Sequence, residues 1–87
     1  SIQHNLDNLM GNFMSNIYPG QIYEHYKGKK YKIICLAKHS ETLEDLVIYE
    51  TLYENPLSKK WARPLSMFLE MVEIDGQKKL RFKLITE

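Results

Sequence analysis

"YKGKKYKIICLAKHSETLEDLVIYETLY", residues 26–53, decides the fold. Lys27-Gly28-Lys29 is a hairpin turn whose glycine is free to take a positive φ. It opens a run, residues 30–38, in which Tyr31, Ile33, Cys35 and Ala37 alternate with Lys32, Ile34, Leu36 and Lys38. Alternation with period two marks a strand. Apolar residues on both of its faces predict a central strand in a nearly closed sheet, with Cys35 in the core. Residues 46–54 alternate again, Leu46, Ile48 and Leu52 against Val47, Tyr49, Thr51 and Tyr53. Between the two runs lies His39-Ser40-Glu41-Thr42, a polar knot without glycine, proline, asparagine or aspartate. Ser40, Thr42 and Glu44 can do the hydrogen bonding of such a turn, which leaves His39 without a structural task.

On either side the chain keeps the same grain. Residues 21–26 read as a short strand and residues 55–60 as a loop. Residues 61–64 are extended, because the residue before a proline avoids helix. Residues 65–69 suit one helical turn and residues 70–74 a strand. Asp75-Gly76 is a tight turn, and residues 79–85 form a last strand with Leu80, Phe82 and Leu84 inward and Arg81 and Lys83 outward. Five or six short strands at this spacing predict an all-β fold closed into a small barrel, since a flat sheet would leave long open edges.

Residues 1–17 differ. Ile2, Leu6, Leu9, Met10, Phe13 and Ile17 recur at helical spacing, with Asn5, Asp7, Asn8 and Asn12 opposite. The pattern predicts a helix over residues 3–15. A lone helix of that length is marginal in water, so it docks on its own domain, pairs with a second copy as a homodimer, or frays. Pro19-Gly20 closes the segment. The expected organisation is a helical extension, residues 1–19, and a β domain, residues 20–87.

Composition narrows the function classes. With 87 residues the chain is one domain with one small core. A net charge of +1 is too low for a dedicated nucleic-acid binder. The single cysteine allows no internal disulfide and fits a cytoplasmic, reducing setting. No run approaches the ~18 apolar residues that span a bilayer, and no membrane partner is expected.

The blocks "GQIYEHYKGKKYKIICLAKHSETLEDLVIYETLY", residues 20–53, and "WARPLSMFLEMV", residues 61–72, resemble the domain of unknown function 1653 family. The resemblance rests on His-Tyr-Lys-Gly, Ala-x-His-Ser-Glu-Thr-x-Glu, Val-x-Tyr, Leu-Tyr and Trp-x-Arg-Pro-x-x-Met-Phe in that order. It implies a small bacterial protein with a Src-homology-3-like barrel, and it implies no activity. The first 19 residues lie outside it.

Several constellations could carry function. Trp61 and Arg63 share a face of an extended piece, and an indole beside a guanidinium suits a carboxylate, a phosphate or a flat ring. The structural alternative lays Trp61 on the barrel and pairs Arg63 with Glu41, Glu44 or Glu70. His39, with Glu41 to orient it, is expected to face the same groove, as are Tyr26 and Tyr49. Lys27, Lys29, Lys30 and Lys32 among Tyr26 and Tyr31 resemble a single-strand nucleic-acid surface, but a lysine-rich hairpin tip is also edge protection. Nucleic acid is disfavoured as a partner. His25, His39 and Glu41 have no metal-site spacing, so no metal and no cofactor is expected. Cys35 as a core thiol would be inert. The expected role is a non-catalytic binding module for a small anionic ligand or a peptide. The alternatives are an enzyme or enzyme-accessory domain acting on a nucleotide-like ligand, and nucleic-acid binding through the lysine-rich hairpin.

Overall fold

The structure, a computed structural model, describes residues 17–86. The helix expected over residues 3–15 lies outside the described residues. Seven strands and one helical turn follow in order: β1 (Ile22–His25), β2 (Lys30–Lys38), β3 (Asp45–Thr51), β4 (Lys60–Pro64), α1 (Leu65–Phe68), β5 (Met71–Ile74), β6 (Gln77–Leu80) and β7 (Phe82–Thr86). The fold is mostly β, as expected. All pairings are antiparallel.

The strands form two open sheets and not a closed cylinder. One has the order β4-β3-β2-β1-β7, and β5 and β6 make a separate ribbon. The expected last strand is divided because Arg81 breaks it. The Arg81 N–H donates to the Glu70 carbonyl at 3.1 Å, and its guanidinium holds the Glu70 carboxylate at 2.6 Å. The chain thereby leaves the ribbon and joins β1. The β4 edge offers few groups for pairing. Ser58 Oγ accepts from the Lys60 N–H at 3.1 Å and donates to the Lys60 carbonyl at 2.7 Å, and Pro64 has no N–H to offer.

Pairing fixes the faces. Tyr49 lies opposite both Ile33 and Trp61, and Val47 opposite both Leu36 and Arg63, so these six side chains share the inner face. A register shift between Ile33 and Cys35 makes Ile34 an extra residue. A bulge of this kind reverses the parity of all that follows. Cys35 is therefore exposed, against its expected place in the core, and Leu36 takes the inner position.

The core is aromatic. The Phe68 and Phe82 rings stack at 4.2 Å, 6° from parallel. Tyr23 meets Phe68 edge-on at 5.1 Å and Tyr49 meets Phe82 at 5.7 Å. The short α1 exists to deliver this plug: Pro64 cannot continue a strand inward, and one turn puts Leu65 and Phe68 on the buried side. Ile17, ahead of Pro19-Gly20, packs in the same core. Gln21, also buried, ties that entry down: its Oε1 accepts from the Tyr18 N–H at 2.8 Å and from the Tyr23 hydroxyl at 3.3 Å.

Candidate functional site

β4 places Trp61 and Arg63 two residues apart on the inner face, as their spacing predicts. β3 supplies Tyr49 and β2 supplies Tyr31, while Tyr53 and Asn55 come from the loop after β3. Together these six line a hollow of about 240 Å³. Each wall is fixed. The Trp61 Nε1–H donates to the Ser58 carbonyl at 3.1 Å. Tyr31 and Tyr53 share a hydrogen bond at 2.8 Å, and the Tyr31 ring stands edge-on to Tyr49 at 5.2 Å. Burial, and then the hydrogen bond shared with Tyr53, pushes the Tyr31 phenol above its ordinary pKa. It stays protonated across the physiological range.

Arg63 has an unusual setting. Its Nε–H donates to the Tyr49 hydroxyl at 3.2 Å, and its guanidinium lies 5.4 Å from the Phe82 ring centroid. Among the described residues no carboxylate pairs with it: Glu70 holds Arg81, and Asp45 holds Lys38. Nη1 and Nη2 have no hydrogen-bond acceptor among the described residues, so a half-buried cation opens onto an aromatic hollow.

The other expected site residues lie elsewhere. His39 does the work of the turn. Its Nδ1 accepts from the Glu41 N–H at 3.1 Å and the Thr42 N–H at 3.3 Å, and Thr42 Oγ1 accepts from the Glu44 N–H at 3.2 Å. Neither His39 nor Glu41 lines the hollow, and Glu41 is exposed. Tyr26 lines a different hollow, of about 360 Å³, with His25, Lys79 and Lys83. Of the two tyrosines in the lysine hairpin, Tyr31 is turned inward against Tyr53.

The sequence offers His25 only as a metal-ligand type without metal-site spacing. It pairs with Phe82 across β1 and β7 and packs edge-on against that ring at 5.1 Å. Its Nδ1 accepts from the Lys27 N–H at 3.2 Å. Burial, and then the charges of Arg63, Arg81 and Lys27, lowers its pKa. Its strand parity is the signal that could have found it, since His25 falls in step with Tyr23. Tyr53 was legible only as a strand residue, because nothing local predicts its bond to Tyr31, 22 positions away.

A small, mostly β domain with a tyrosine-walled arginine on the inner face of an open sheet is the class these features define. The chain belongs to the DUF1653 family of proteins of unknown function, whose sequence pattern matches residues 21–84. It is similar to a DUF1653 protein of Bordetella bronchiseptica known from its crystal structure. The TM-score is 0.76 and the identity 33%, with 84% of this chain and 92% of that one covered. No curated protein matches the chain.

Proposed function

We propose that this domain is a non-catalytic binding module whose hollow takes a small carboxylate with a flat apolar tail. The carboxylate sits on Nη1 and Nη2 of Arg63 and the tail lies among Trp61, Tyr49 and Tyr31. The observation that carries this reading is the half of the Arg63 guanidinium that has no acceptor among the described residues. A planar fork of donors matches a carboxylate in two-point geometry. The Tyr31–Tyr53 hydroxyl pair uses one of its two protons in the shared bond and leaves the other as a neutral donor. Size supports a small ligand over a nucleotide, because about 240 Å³ lies below the ~300–1,000 Å³ of sites for drug-sized molecules. The capped edge of β4 supports a discrete ligand over a peptide strand, which would need free N–H and C=O groups there. His39, Glu41 and Tyr26 are left out of the site, His39 because its Nδ1 is already engaged. The helical turn that plugs a sheet with two bulges supports a Src-homology-3-like arrangement, open at β4.

Trp61 is the single tryptophan, so its emission reports directly on the hollow. Titration with benzoate is expected to shift that emission saturably, acetate more weakly, and Arg63→Gln to weaken benzoate about tenfold or more. If benzoate, acetate and inorganic phosphate all fail to saturate at millimolar concentration, the reading fails. If phosphate outbinds benzoate, the carboxylate assignment fails.

A further inference from the structure

A second hollow, of about 330 Å³, lies on the other side of the aromatic core. Phe68 and Phe82 form its floor, and Tyr18, Leu69, Leu80 and Leu84 its rim. Among the described residues no charged side chain lines it. The rim is open to solvent, with Tyr18 51%, Leu80 49% and Leu84 37% exposed. Met71, opposite Leu80 in the β5–β6 ribbon, extends the same apolar surface. A contiguous apolar patch of this kind on a small domain marks a surface that something covers.

The chain itself leads to the place. Ile17 is locked in the core and Tyr18 stands on the rim, so the described part of the chain starts beside the hollow. The sixteen residues before Ile17 carry a single apolar stripe, Ile2, Leu6, Leu9, Met10 and Phe13, against a face of Asn5, Asp7, Asn8 and Asn12. We propose that this stripe covers the Phe68–Phe82 hollow of its own chain, seating apolar side chains between Tyr18, Leu80 and Leu84. Attachment at the rim gives the segment a high local concentration. A second copy would instead lose translational and rotational freedom on docking. The charge pattern agrees, because the stripe is uncharged where the hollow is, and Asp7 falls on the opposite face.

A double-mutant cycle on the full chain tests this, with Phe13→Ser, Leu80→Ser and the pair compared by thermal unfolding. Each change alone is expected to lower Tm, and the pair to lower it by clearly less than the sum, because both remove one contact surface. An additive pair overturns the proposal. Repeating the cycle with Leu9→Ser and Leu84→Ser guards against the choice of one site. Both cycles are run at two protein concentrations alongside sedimentation. A coupling that fades on dilution together with a dimer names a second copy as the occupant and overturns the proposal. A coupling that persists in a monomer upholds it.

Discussion

Arg63 illustrates what a residue can be held for other than stability. Among the described residues no carboxylate meets this half-buried guanidinium, so it keeps part of its desolvation cost, which the Tyr49 hydroxyl and the Phe82 face offset. Groups retained for binding commonly detract from the fold. Arg63→Met keeps the alkyl packing and removes the charge, so its Tm is expected to stay level or rise while benzoate binding is lost. A loss of more than about 2 kcal/mol would instead mark Arg63 as structural, since that is the size of a broken buried network. Cys35 makes a second residue-scale expectation. It is exposed, so a thiol-reactive dye is expected to label the folded protein fully without denaturant, and Cys35→Ser to change stability by no more than about 0.5 kcal/mol. Labelling only after unfolding would put the thiol back inside. The alternation in residues 30–38 was legible, and Tyr31 and Ile33 face inward as it predicts. Cys35, Ala37 and Leu36 come out reversed because one bulge at Ile34 inverts the count. A bulge is set by how β2 meets β3, a relation between distant residues that local alternation does not encode.

At the scale of elements, the turn between β2 and β3 shows how a loop without glycine is built. The His39 N–H donates to the Glu44 carbonyl and the Leu43 N–H to the His39 carbonyl, both at 2.8 Å. Closing the loop forces Leu43 to φ 63°, although its side chain is mostly exposed. A left-handed conformation costs a residue with a Cβ roughly 1–2 kcal/mol, and asparagine bears it best after glycine. Leu43→Asn is therefore expected to stabilise the protein by about 1 kcal/mol, or roughly 4–8 °C in Tm for a domain of this size. A lower Tm would mean that Leu43 packs on something the turn needs. The element boundaries around α1 and both tight turns, Gly28 at φ 99° and Asp75-Gly76 at 53° and 79°, follow from local chemistry and were readable in advance. Closure into a barrel was not. It depends on the partners of β4 and β7, and the features that decide them, Ser58 capping Lys60 and Arg81 reaching Glu70, are contacts of side chains with particular atoms. The candidate site divides the same way. Trp61, Arg63 and Tyr49 come together because strand parity brings them together, whereas His39 lies at a strand end, where parity no longer constrains direction.

For the whole molecule, the two sides of the inner face are linked through His25. Burial lowers its pKa first, and the charges of Arg63, Arg81 and Lys27 add to this, from an ordinary value of 6.5. Protonation at Nδ1 would also break the bond from the Lys27 N–H. The folded state therefore holds His25 neutral while the unfolded chain binds the proton more readily. Stability rises with pH wherever the unfolded state binds more protons. This contribution is thus complete above the unfolded pKa and is lost as pH falls from about 6.5 toward the lower folded value. An anion on Arg63 cancels part of one lowering cause and so raises the pKa of His25. Linkage is reciprocal, so protonated His25 strengthens anion binding by the same factor. Two opposite slopes follow: between pH 7.5 and 5.5, roughly a unit either side of that ordinary value, Tm without ligand falls with falling pH, while benzoate affinity at Trp61 rises. In His25→Gln both slopes are expected to flatten, whatever its absolute Tm. Unchanged slopes in that variant would assign the effect to other titrating groups. A flattened stability slope beside an unchanged affinity slope would show that the ligand does not sit where Arg63 and His25 feel each other's charge.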